Sequence, residues 1–102
     1  VALVCFTAPG CGSCRVFKGV LPLLQARADE KLKAGYGLRL SVFEVDAGES
    51  MGLVSELEIV DLPALFVYVK GEYHCPLQAP PEPEALYMAV VRATQQPANE
   101  AP

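Results

Sequence analysis

The chain has 102 residues, enough for one domain around a single core and too few for two. Hydrophobic residues make up 52% and the mean hydropathy is +0.28, which excludes a disordered chain. Eight Lys and Arg against twelve Asp and Glu leave a net charge of −4, which argues against nucleic acid or an acidic membrane surface as partner. No apolar run approaches the roughly 18 residues that a membrane span needs.

"VALVCFT" (1–7) is an apolar run stopped by Ala8-Pro9-Gly10, the pattern of a fully buried strand. It lacks the basic start and cleavage site of a signal peptide, and the absence of an opening Met reads as a trimmed chain. From Gly12 or Ser13 to about Ala34 the period turns helical, with Val16, Val20, Leu23 and Leu24 apolar and Arg15, Lys18, Gln25 and Arg27 polar. Pro22 predicts a kink or a break near Gly19–Leu21, and Gly35-Tyr36-Gly37 ends the segment. "LRLSVFEVDA" (38–47) reads as a second strand and "SMGLVSELEIV" (50–60) as a short helix broken by Asp61-Leu62-Pro63. "ALFVYV" (64–69) and "YHCPL" (73–77) read as a hairpin around a three-residue turn, Lys70-Gly71-Glu72. "PPEPEALYMAVVRATQQ" (80–96) opens with Pro and Glu and carries Leu86, Ala89, Val90 and Ala93 at helical spacing. A domain over 1–96 and a disordered tail over 97–102 follow. The order is β-α-β-α-β-β-α. A helical crossover makes the first two strands parallel and the last two form an antiparallel hairpin, so the fold class is α/β, a mixed four-stranded sheet with helices on both faces.

Four cysteines, Cys5, Cys11, Cys14 and Cys75, are too few for a disulfide scaffold, and cytoplasmic and periplasmic settings both fit the count. Only Cys11 and Cys14 have a spacing with meaning. A CxxC between a strand end and a helix start meets unpaired N–H groups and the positive end of the helix dipole. There a thiolate is favoured, and a pKa of about 7 would make roughly half of the sulfur nucleophilic at neutral pH. The outer Cys11 is then the attacking thiol and Cys14, one turn in, the resolving one, with Gly12 allowing the tight turn between them. The same spacing is half of a zinc site, which needs two more ligands. The other candidates are Cys5 and the adjacent pair His74 and Cys75, which on a regular strand point to opposite faces.

"VCFTAPGCGSCRVF", "FEVDA" and "VDLPALFVYVKGEY", in this order and spacing, resemble the thioredoxin-like thiol–disulfide oxidoreductases from Val1 to about Thr94. The amino-terminal strand and helix of full-length thioredoxins have no counterpart here, so the resemblance implies the minimal version of the fold. It implies Cys11 and Cys14 as catalytic cysteines and Pro63 as the cis-proline opposite them, with the Leu62 backbone free to pair with an extended substrate peptide. Gly10, Gly12, Ser13, Leu62 and Pro63 would line the substrate surface, and Gln78-Ala79-Pro80 would flank it. Gly10 stands where the family has Trp, which removes an aromatic wall. Ser13 replaces the Pro between the cysteines, and a hydroxyl hydrogen-bonded to a sulfur there would make the pair more oxidising. Cys5 stands where the family buries an acid and Val42 where a Lys accompanies it, so both charges are lost together and slower turnover is expected.

The resulting expectation is a thiol–disulfide oxidoreductase that needs no cofactor or metal and exchanges with a client protein's disulfide or dithiol. A second dithiol system resets the pair. The alternatives are a redox-slow interaction module of the same fold and a CxxC metal carrier. Outside the motif, Cys5 reads as buried filler, His74 as an edge or surface residue, Cys75 as a lone thiol one strand away from Cys5, and Glu44 and Asp46 as solvated carboxylates.

Overall fold

A buried apolar run has to find partners on both edges and both faces, and "ALVCFT" does. In the computed structural model, which describes residues 1–99, this segment is β1 (Ala2–Thr7), the inner strand of a four-stranded sheet. The sheet contains β2 (Ser41–Asp46), β3 (Ala64–Val69) and β4 (Glu72–Leu77) in the order β2-β1-β3-β4. β1 runs parallel to β2 and antiparallel to β3, and β3 runs antiparallel to β4, as the crossover and the hairpin require. The helices are α1 (Gly12–Lys33), α2 (Met51–Glu56) and α3 (Pro83–Thr94), and a 3-10 turn at Ala47–Glu49 precedes α2. None of them is long and apolar enough to cross a membrane.

One face of the sheet meets α1 and α3, where Leu3, Cys5, Leu65 and Val67 pack against Leu21, Leu24, Leu86 and Val90. The other face is thinner, with Phe6, Phe66 and Leu57 as its buried residues and Val54 of α2 packed on them. Helices therefore cover both faces, unequally.

The break expected at Gly19–Leu21 does not occur: α1 is one helix of 22 residues with Pro22 inside it. Pro22 is exposed, while Cys14, Phe17, Leu21, Leu24 and Ala28 form a continuous buried stripe, so packing on the sheet offsets the hydrogen bond that Pro removes. The helix closes in a Schellman motif. Gly35, at φ +90°, donates to Leu32 O and Tyr36 donates to Lys31 O. The Gln25 side chain then clasps the edge of the sheet, donating to Leu40 O at 2.8 Å and accepting from Val42 N–H at 2.8 Å. Backbone groups of the β2 edge are thereby satisfied without a fifth strand.

The hairpin turn has two residues where three were expected. Lys70 and Gly71 both take positive φ, +53° and +79°, and Glu72 already pairs with Val69. This is the type I′ pattern, whose twist matches the strands. Across β3 and β4, Val67 faces Cys75 while Tyr68 faces Tyr73, so His74 is an extra, bulged residue of β4. β4 tolerates both the bulge and Pro76 because it is an edge strand. Helix α3 starts at Pro83, later than the sequence pattern suggests, since Glu82 is its N-cap and accepts from Glu84 and Ala85 N–H. Of the tail expected over 97–102, residues 97–99 are described, with Asn99 N–H donating to His74 O at 2.8 Å, and 100–102 lie outside the described residues.

Candidate redox site

The last residue of β1, Thr7, leads into a tight turn that delivers Cys11 to the start of α1. Cys11 N–H returns to Ala8 O, with Pro9 and Gly10 (φ +81°) at the two central positions, the type II arrangement. Gly10 is thus the glycine whose conformational freedom the turn uses. Gly12, expected to permit the turn, is the first residue of the helix and has no positive φ.

Cys11 is the N-cap of α1, and its Sγ accepts the Cys14 N–H at 3.1 Å. A cap position is filled most often by an oxygen side chain; here sulfur takes the place, and negative charge on it would be stabilised by that donor and by the helix dipole. No acidic residue stands in the first turn of α1 to oppose this, and Arg15 lies in it. Cys14 is fully buried, Cys11 half-buried, and the two are joined as a disulfide. Ser13 is exposed, and its hydroxyl bonds neither sulfur among the described residues.

Opposite the pair runs the segment that enters β3. The Leu62–Pro63 peptide is cis, and Leu62 O lies 3.7 Å from Cys11 Sγ. Leu62 and Pro63 are half-buried, and Pro63 and Gln78 line a cavity of about 400 Å³ whose floor includes Phe66 and Tyr73. The structure therefore gathers Gly10, Cys11, Leu62 and Pro63 around one sulfur, with Gln78 beyond.

Cys5 is fully buried beneath α1, and burial, with the Glu44 charge as a smaller contributor, pushes its thiol up to about 12. It keeps its proton at neutral pH. Glu44 is more than a solvated carboxylate: it accepts the hydroxyl of buried Thr7 at 2.8 Å and pairs with Lys18 at 3.4 Å. Asp46 accepts Gly48 N–H at 2.7 Å and caps the 3-10 turn. The signal for Glu44 was its register: it pairs with Cys5 across β1–β2, on the face where α1 sits.

His74 and Cys75 lie three to four strand residues from the Cys11 end of the sheet, about 10 Å away. The bulge turns both toward α3, contrary to strict alternation. His74 Nε2 stands 2.8 Å from Ala93 O and 3.0 Å from Gln96 O, and Cys75 packs against the main core. Carbonyl oxygens only accept, so Nε2 carries a proton and donates to both. β3 separates Cys75 from Cys5, and burial raises the Cys75 thiol. Among the described residues no three His, Cys, Asp or Glu side chains stand together as metal ligands would.

The thioredoxin family model matches residues 1–92. A Schizosaccharomyces pombe protein named, provisionally, a protein disulfide-isomerase is 36% identical over 86 residues, which is 84% of this chain and 16% of that relative. The chain thus spans a small part of the relative it matches. Among solved structures, a thioredoxin variant of Halobacterium salinarum superposes with a TM-score of 0.72 at 22% identity, covering 93% of this chain and 75% of that one. Human ERp44 superposes with a TM-score of 0.76 at 16% identity, covering 89% of this chain and 24% of that one. These two likenesses concern the fold. A thioredoxin domain holding a Cys11–Cys14 disulfide supports thiol–disulfide oxidoreductase chemistry in general, and the chain belongs to the thioredoxin family.

Proposed function

We propose that this chain exchanges its Cys11–Cys14 dithiol and disulfide with disulfides and dithiols of a client protein. The observation that carries this is the half-buried Cys11 sulfur at the helix N-cap, 3.1 Å from Cys14 N–H and facing the Leu62 carbonyl. In the reducing direction, Cys11 thiolate attacks one sulfur of the client disulfide, and the other client sulfur leaves as a thiolate. Cys14, as thiolate, then attacks Cys11 Sγ and breaks the mixed disulfide, releasing the second client thiolate. Two electrons reach the client, the proton of Cys14 goes to solvent or to a leaving thiolate, and the protein is left as the disulfide. The Leu62 backbone and the half-buried Pro63 offer an edge along which an extended client segment can lie. A second dithiol system returns the electrons.

The test equilibrates the protein in glutathione buffers of graded poise, traps free thiols and weighs the products. An intramolecular Cys11–Cys14 disulfide with a defined midpoint is expected, and Cys14→Ser should accumulate the mixed disulfide on Cys11. No intramolecular disulfide at any poise would end this reading and leave a redox-silent module or a metal carrier.

A further inference from the structure

The charges of this chain are sorted along the sequence in a way that the fold turns into a spatial pattern. Residues 1–28 carry three cations, Arg15, Lys18 and Arg27, and no acid. Residues 40–69 carry six acids, Glu44, Asp46, Glu49, Glu56, Glu58 and Asp61, and no cation. The reacting Cys11 belongs to the first stretch and the Leu62 carbonyl it faces belongs to the second, so their 3.7 Å contact is a seam between the two stretches, which Glu44 crosses to pair with Lys18.

Cavities open on both sides of that seam. On the α1 side, a cavity of about 150 Å³ is lined by Cys11, Arg15 and Lys18 with the Ala8–Gly10 turn. Arg15 and Lys18 follow Cys11 by four and seven residues, so both stand on the helix face above the sulfur. Lys18 shares its charge with Glu44 at 3.4 Å, whereas Arg15 has no ion-pair partner among the described residues. On the Pro63 side, the larger cavity of about 400 Å³ carries exposed Glu58 and Asp61 on an apolar floor. Neither acid has a cationic partner among the described residues, so both faces of the seam hold unspent charge in a protein whose net charge is −4.

We propose that the cleft selects clients by charge polarity: an acidic residue on the side of the client cysteine that meets Arg15 and Lys18, and a basic residue on the side that meets Glu58 and Asp61. This rests on the oxidoreductase reading above and names the substrate class, an extended peptide with opposite charges flanking its disulfide cysteine. An extended chain advances about 3.3 Å per residue, so side chains one to three residues from the reacting sulfur fall over the two cavities. A client in the reversed orientation meets like charge at both ends. The four groups are solvent-exposed, so the discrimination is modest, screened by salt, and expressed mainly in the rate of encounter.

The experiment uses the reduced protein and three eight-residue peptides, each with one cysteine blocked as a mixed disulfide with neutral 2-mercaptoethanol. One peptide has Glu two positions before the cysteine and Lys two after, the second has them exchanged, and the third has Ser at both. Second-order rate constants come from acid-quenched mass spectrometry. One charged peptide should react about three- to tenfold faster than its mirror at low salt, with the Ser peptide between them. About 1 M salt should remove most of the difference. Arg15→Glu should cancel or invert the preference, each rate being divided by that for the Ser peptide, because a new acid beside Cys11 slows every substrate alike. Equal rates for the two charged peptides, or a preference that survives Arg15→Glu, would overturn the proposal. If the Ser peptide is reduced while no preference appears, charge selection falls and the oxidoreductase reading stands; if none of the three is reduced, both fall.

Discussion

Alkylation of the fully reduced protein at pH 7 tests the electrostatic reading of its four cysteines at once. An unperturbed thiol titrates near about 8.5, so about 3% of it is thiolate at pH 7, and the Cys14 N–H donated to Cys11 Sγ favours negative charge there further. Burial holds the Cys5 thiol at about 12, and at pH 7 only about one part in 100,000 of it is ionised. Even an unperturbed thiol therefore has about 3,000 times the thiolate population of Cys5. The rare Cys5 thiolate is intrinsically the better nucleophile. With a Brønsted coefficient of about 0.45 over about 3.5 pKa units, it regains a factor of about 40. The net disadvantage of Cys5 is then about 75-fold before sterics, and its complete burial widens it. Limiting iodoacetamide followed by peptide mapping should label Cys11 first and Cys75, half-buried with a raised thiol, far later. Cys5 and Cys14 should label on the timescale of unfolding. Labelling of Cys5 within tenfold of the Cys11 rate in the native protein would refute both its burial and the role given to the helix cap.

Two further outcomes concern stability. With the Cys11–Cys14 disulfide intact, Cys5 is neutral in both folded and unfolded chains below pH 9, its ordinary value. Between 9 and about 12 the unfolded chain releases the proton and the folded one keeps it. Stability should then fall by up to about 1.4 kcal/mol per pH unit from this group alone, and urea titrations across that range should show a shallower fall in Cys5→Ala, whatever its stability at pH 7. An unchanged slope would mean that Cys5 is not buried as described. Gly37 sits at φ +95° against the hydroxyl of Tyr87, which accepts Leu38 N–H at 2.9 Å. A Cβ there meets that oxygen, so Gly37→Ala should cost about 1–3 kcal/mol in denaturant unfolding, and a neutral result would place this loop elsewhere.

The parts of the molecule legible in the sequence are those whose signals are local. The CxxC, the Pro9-Gly10 turn and the run 64–69 lie within a few residues of their own punctuation, and β3 occupies that run end to end. Three features depended on partners distant in sequence. Whether Pro22 breaks a helix depends on what the opposite face of that helix buries, and here the stripe from Cys14 to Ala28 holds α1 together. The two-residue turn requires Lys70 in a left-handed conformation, which its side chain does nothing to advertise. Glu44 looked like any strand carboxylate until the parallel register set it beside Cys5, within reach of Thr7 and Lys18. His74 lies on an edge strand as expected, but it and Cys75 do not point to opposite faces, because a bulge breaks the alternation on which facing arguments rest.

In the exchange proposed above, the neutral residues at positions 5 and 42 bear on the release step. Cys14 is fully buried, and the sheet residue that replaces the family's acid is a thiol that holds its own proton to about 12. Val42, packed on the same core, offers no charge. Glu44 is the nearest acid by register, yet its Oε2 is already engaged by the Thr7 hydroxyl and the Lys18 ammonium. Nothing at position 5 or 42 can therefore receive the proton that Cys14 must lose before it attacks the mixed disulfide. In the proposed exchange the two half-reactions would be unequal: attack by Cys11 would be assisted by a helix cap and a nearby guanidinium, while release by Cys14 would rely on solvent or on the leaving thiolate. A client would then be held longest as the mixed disulfide on Cys11.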